Sequence, residues 1–169
     1  MGASPYFYFT PYQDDIHAAL QALREKEFEA GRYDPAMQMA EPPSYMFLFA
    51  FPPDDRVPGP GPQHASIEDA LEAAAESGTR SILDIMSIAH EPEYSAACPL
   101  PSAELEVLFG TDEPSRDLVD EVLVKGRRLL GRDPEKLFWD RIERGQGRYI
   151  VVYDGAEPDE IFFAGMSWD

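Results

Sequence analysis

Arg148-Tyr149-Ile150-Val151-Val152-Tyr153, then Asp154-Gly155, then Glu160-Ile161-Phe162-Phe163-Ala164, is the stretch that decides the fold class. β-branched and aromatic residues crowd both flanks, and such residues pack well on a pleated, half-buried surface. Asp-Gly between two such runs is a hairpin signal, because glycine accepts the positive φ of a tight turn. The connection is longer than two residues, so the register stays open. The rest of the chain does not alternate strands and helices strictly. The expectation is therefore an α+β fold, with a largely antiparallel sheet, a C-terminal hairpin and helices packed mainly on one face.

Working back from the hairpin, Tyr6-Phe7-Tyr8-Phe9 is short and aromatic and predicts a strand that Pro11 breaks. Residues 13–30 read as a helix. Asp14 and Asp15 sit in its first turn, where the dipole favours negative charge, and Ile16, Ala19, Leu20 and Leu23 form an apolar stripe. Gly31 is its stop. Residues 45–51 predict a central strand. The prolines and glycines at 52–63 exclude helix, disfavour sheet and predict a surface loop within a single domain, 1–169. Ser66 caps a helix in which Ile67, Ala70, Leu71, Ala74 and Ala75 share one face, and Gly78 ends it. Residues 80–88 predict a strand, and 91–101 an irregular segment. Ser102 caps a short helix to Phe109; further helices are expected near 115–130 and 135–143.

The chain has 169 residues with 14 basic and 32 acidic side chains, a formal charge of −18. Small designed domains aim at a magnitude of about 2–8. A surface this acidic repels phosphates, so sequence-independent binding to nucleic acid or to an anionic membrane is not expected. The charge is uneven. Residues 64–113 hold 1 basic and 11 acidic residues, net −10, whereas 125–148 hold 8 and 4, net +4. Glu68, Glu72 and Glu76 recur every fourth residue on the outer face of the second helix, and like charges at that spacing repel by a few tenths of a kcal/mol each. The ridge is a candidate surface for a basic partner; the alternative is a solvated face.

The chain contains one cysteine, Cys98, so no internal disulfide can form. The N-terminus lacks a basic region followed by an apolar core, and the longest apolar run, 45–51, falls far short of the ~20 residues that span a bilayer. A soluble, cytoplasmic protein is expected.

Four phrases carry a resemblance: Glu27-Phe28-Glu29-Ala30-Gly31-Arg32-Tyr33; Gln63-His64-Ala65-Ser66-Ile67-Glu68-Asp69-Ala70; Gly78-Thr79-Arg80-Ser81-Ile82-Leu83-Asp84; and Gly145-Gln146-Gly147 with Pro158-Asp159-Glu160-Ile161. Together they resemble a family of small uncharacterised bacterial proteins with no assigned activity. The resemblance implies a soluble bacterial protein and carries over no functional residue.

The histidines, His17, His64 and His90, match no zinc spacing. No cofactor and no metal are expected. Cys98 precedes a predicted helix N-terminus, where a thiol's pKa can fall, and a pair with His64 or His90 is conceivable; an inert cysteine is the simpler reading. Arg144-Gly145-Gln146-Gly147-Arg148 precedes a strand rather than a helix, which argues for a turn over a phosphate loop. Arg80 is the one basic residue between His64 and Glu113, beside Asp84. It pairs internally or, as a site with Asp84, His64 and His90, holds an anionic ligand. Tyr6, Tyr8, Tyr12, Tyr45 and Trp168 either fill the core or rim a groove.

Two functions remain in view. One is a non-catalytic binding or immunity-type inhibitor module that uses Glu68, Glu72 and Glu76 against a basic protein. The other is a small enzyme or ligand-binding domain around Arg80 and Asp84. A homodimer through a sheet edge is a third possibility.

Overall fold

Pro5–Pro11 forms the first strand, β1, because Tyr6, Tyr8 and Thr10 alternate with Phe7 and Phe9 and both sets find apolar cover. The computed structural model describes residues 3–34, 59–126 and 134–167. After β1, Asp15 caps α1, Ile16–Ala30, by accepting the Ala18 N–H. Gly31, at φ 73°, ends α1 in the left-handed conformation. Ser66 caps α2, Ile67–Ser77, through the Asp69 N–H. Then follow β2, Ser87–Ile88; β3, Ala96–Pro99; and α3, Ser102–Phe109. The short helix α4, Arg116–Val119, widens into a π-turn over Asp120–Val124. Last come α5, Pro134–Trp139, and the hairpin strands β4, Gly147–Asp154, and β5, Glu157–Met166. The expected strand at 45–51, the loop residues 52–58, the helix end at 127–130, Tyr45 and Trp168 lie outside the described residues.

The C-terminal hairpin is present. β4 and β5 pair antiparallel, with a register shift at Val152/Tyr153. The fold is mixed α and β, but the sheet is not largely antiparallel. Its order is β1-β5-β4-β3-β2, and β4-β3 and β3-β2 are parallel. The β3-β4 pairing escapes a local reading because it joins segments distant in sequence: Cys98 lies opposite Arg148.

Helices cover both faces, not mainly one. Tyr6, Tyr8, Ile161 and Phe163 meet Ala19, Leu20 and Leu23 of α1 on one face. Ile150, Val152, Phe162 and Ala164 meet Leu105, Leu108, Val119, Val122 and Phe138 from α3, α4 and α5 on the other. The period-2 alternation of β5 thus buries both sets of its side chains, as its apolar run requires.

Two expected elements change. Residues 80–88 are not one strand: Ser81 accepts the Leu83 N–H and the chain tightens into a 3₁₀ turn, Ile82–Asp84, before β2. The segment expected to be irregular contains β3, whose small residues Ala96, Ala97 and Cys98 are buried in the parallel half. Pro101, not Ser102, occupies the cap position of α3.

Among the described residues β1 is a sheet edge. The bonds from Ser167 N to Ser4 O and from Tyr12 N to Asp159 O show that even-numbered residues face β5. The backbone groups of Pro5, Phe7, Phe9 and Pro11 therefore point along the open edge, and the two prolines offer no donor there, a common way to blunt an edge.

Candidate functional site

Three features of the structure carry side chains with chemical potential: a polar junction beside α2, the outer face of α2, and a cleft at the ends of β2 and β3.

The junction collects three of the four ligand-site residues expected from sequence. Asp84 is buried; its Oδ1 accepts from the Thr79 N–H at 2.6 Å and the Thr79 hydroxyl at 2.7 Å. The Thr79 and Ser81 hydroxyls lie 2.7 Å apart. These bonds give Asp84 a clear structural duty, closing the turn that follows α2. Arg80 sits within that turn at φ 53°, a left-handed conformation uncommon for a side chain with a Cβ. Its Nε lies 3.9 Å from Asp34 Oδ2, and the Asp34 N–H donates to Thr79 O at 2.8 Å. The internal pair expected for Arg80 thus includes Asp34, with Arg80 itself 39% exposed. His64 stacks on Tyr33, and its Nδ1 lies 2.8 Å from the Tyr33 hydroxyl. That hydroxyl also accepts the Gln63 N–H. His64 thereby fastens the segment before α2 to the end of α1. His90 is not part of this junction.

The ridge is where the helical period places it. Ala70, Ala73 and Ala74 turn inward, and Glu68, Glu72 and Glu76 are exposed. None of the three is in an ion pair among the described residues. The last turn of α2 contains no basic residue, so Glu76 faces the negative pole of its own helix. The ridge therefore carries repulsion that folding leaves unrelieved.

The cleft, of about 420 Å³, opens where β3 hands over to α3. His90, Cys98, Glu104, Phe138, Arg141 and Arg148 are among the residues that line it. The structure thus brings His90 and Cys98 to one cleft. Burial pushes the Cys98 thiol up from its ordinary pKa, with the nearby Arg148 charge pulling the other way. The thiol is protonated at neutral pH, which opposes a nucleophilic role. Among the described residues no group of three or more His, Cys, Asp or Glu side chains is placed to hold a metal ion, and no helix is long and apolar enough to cross a membrane.

The sequence reading weighed Arg148 only as the end of a glycine loop, not as an inward-facing cation. Its signal was available: residues 148, 150 and 152 share a face of β4, and Ile150 and Val152 are core. Arg148 therefore points into the protein and is only 8% exposed. The segment before it is a turn that leads into β4 at Gly147: Gly145 adopts φ 74° and packs against the Tyr94 ring.

No protein-family model, no curated protein and no solved structure matches this chain.

Proposed function

We propose that this protein is a non-catalytic binding module that takes a basic protein partner on the outer face of α2, in the manner of an inhibitor or immunity protein. The observation that carries the reading is the exposed, unpaired row Glu68, Glu72 and Glu76. A cation laid across the row would relieve repulsion that the fold leaves in place. The net charge of −18 adds a long-range field that steers a basic partner toward the molecule. An exposed ridge is built for encounter rate and partner selection more than for raw affinity.

The test compares the wild-type chain with the triple variant Glu68→Lys, Glu72→Lys, Glu76→Lys. Both are used to capture proteins from native extract at low and high salt. The expected result is a basic protein held at low salt by the wild type only, with an association rate at least ~10-fold faster than that of the variant. Equal capture by both would remove the ridge from the function.

A second reading, a ligand site around Arg80 and Asp84, draws on the left-handed φ of Arg80. Strained backbone of this kind clusters at functional sites. It is favoured if the ridge captures nothing and small anions raise the melting temperature of the wild type but not of Arg80→Ala.

A further inference from the structure

Arg148 is a cation more than nine-tenths buried, and its partners are all neutral. Nη1 donates to Gly147 O at 2.8 Å; Nη2 donates to Arg141 O at 3.3 Å and to Gln146 Oε1 at 3.4 Å. No carboxylate lies within ion-pair distance of it among the described residues. This is an odd choice in a chain with 32 acidic residues and 14 basic ones. A buried charge normally comes with a counter-charge, because desolvation costs several kcal/mol otherwise. A guanidinium offers five N–H donors, so donors remain after three hydrogen bonds. The side chain forms part of the wall of the cleft.

The rest of the wall suits one particular kind of guest. Its other cation, Arg141, is 3.5 Å from Glu104 and so is already offset. Arg148 is left as the cation of the wall with no carboxylate in ion-pair distance among the described residues; Glu91, the wall's second carboxylate, is exposed. Leu100, Pro99 and Phe138 supply apolar surface beside it. The first turn of α3 starts at the same place, with no side chain capping its N–H groups. The volume, about 420 Å³, lies within the ~300–1,000 Å³ of small-molecule sites. The position, beyond the carboxyl ends of the parallel strands β2 and β3, is where open sheets with parallel strands hold ligands.

We infer that this cleft binds a small monocarboxylic acid with an apolar body, its carboxylate on Arg148 and its body against Leu100 and Phe138. A single negative charge matches the single unpaired cation, and the N–H groups that Arg148 has left over, on Nε and Nη1, can donate to a carboxylate oxygen. A dianion would meet the field of a strongly acidic molecule with only one unpaired cation to hold it. The site lies across the sheet from the ridge on α2, so it stands or falls separately from the partner-binding proposal.

The probe is benzoate, with benzyl alcohol as the neutral body and inorganic phosphate as the bodiless anion. Binding is read by amide NMR on the full chain. Benzoate should cause saturable shifts at the amides of Cys98, Leu100 and Arg148, and benzyl alcohol should bind at least tenfold more weakly. Arg148→Gln should abolish the benzoate shifts. Because that variant also removes a buried side chain, two substitutions nearer the surface give an independent reading of charge. Arg141→Gln should weaken binding several-fold, and Glu104→Gln should tighten it. Equal binding of benzoate and benzyl alcohol would overturn the proposal. So would tighter binding of phosphate than of benzoate, weakening by both Arg141→Gln and Glu104→Gln, or no saturable shift at about 10 mM, roughly ten times a millimolar Kd.

Discussion

Two tyrosines two residues apart on β1 have opposite accounts with the core. Both are buried, and the rings lie 6.2 Å apart. The Tyr8 hydroxyl accepts the Ile82 N–H, at 3.3 Å, and so ties the sheet to the 3₁₀ turn. The Tyr6 hydroxyl has no hydrogen-bond partner; it lies beside Gly165, where a Cβ would come within 2.4 Å of it. A buried hydroxyl without a partner is a cost to folding, whereas removing an acceptor strands its donor. Tyr6→Phe should therefore leave stability unchanged or raise it by up to about 1 kcal/mol, and Tyr8→Phe should lower it by about 1–2 kcal/mol, read by urea unfolding. The same burial, with the Asp84 charge adding to it, holds the Tyr6 phenol well above its ordinary pKa; burial followed by the Glu27 charge does so for Tyr8. In the unfolded chain these phenols ionise near pH ~10. Above that pH the unfolded state has released protons that the folded state still holds. Stability should thus be full below about pH 10 and fall beyond it, and the fall should be shallower in Tyr6→Phe.

At the scale of elements, the C-terminal end of α1 shows how much of the inner face a helical period can reveal. Leu20, Leu23 and Glu27 fall on one stripe, and Glu27 is accordingly buried. Arg32, just past the Gly31 stop, returns to meet it in a two-pronged pair, Nε to Oε2 at 2.8 Å and Nη2 to Oε1 at 2.6 Å. Removing one partner of a buried pair costs far more than removing both. Arg32→Met alone should cost about 3–5 kcal/mol, and Glu27→Leu with Arg32→Met clearly less, as a double-mutant cycle in urea will show. Near-additive losses would mean that the pair does not hold this corner. The same corner marks the limit of a local reading. The Gly31 and Gly78 stops, the Ser66 cap and the hairpin all depend on residues within a few positions of one another, and all were legible. Of the parallel strands, β2 lies at the end of the strand expected over 80–88, but β3 was not legible. β3 is Ala-Ala-Cys-Pro, without a β-branched residue, and becomes a strand because Arg148 and Tyr149 arrive beside it from ~50 residues away. The cleft was illegible for the same reason, since its wall joins His90, Cys98 and Arg148. The ridge was legible because a helix writes its faces into sequence every three to four residues.

The charge acts on the molecule as a whole. A chain of this length folds to a radius of gyration of about 15 Å. At 0.01 M ionic strength the screening length is about 30 Å, so the acidic groups of the folded state feel one another across the entire molecule. At 0.15 M it is about 8 Å, and only neighbours interact. Among the described residues, the ion pairs between Arg141 and Glu104 and between Lys125 and Asp120 are on the surface, where water and salt screen them and they offset little of this repulsion. Sodium chloride should therefore raise the melting temperature, with most of the gain complete by about 0.15 M, where the screening length has fallen below the molecular radius. The triple lysine variant of the ridge changes the net charge from −18 to −12 and should show a smaller gain. A melting temperature indifferent to salt would mean that the negative charge is neutralised locally, leaving no long-range field to steer a partner. A strong salt dependence concentrated in the ridge would mean that the fold tolerates a penalty at α2 that only something outside the chain can relieve.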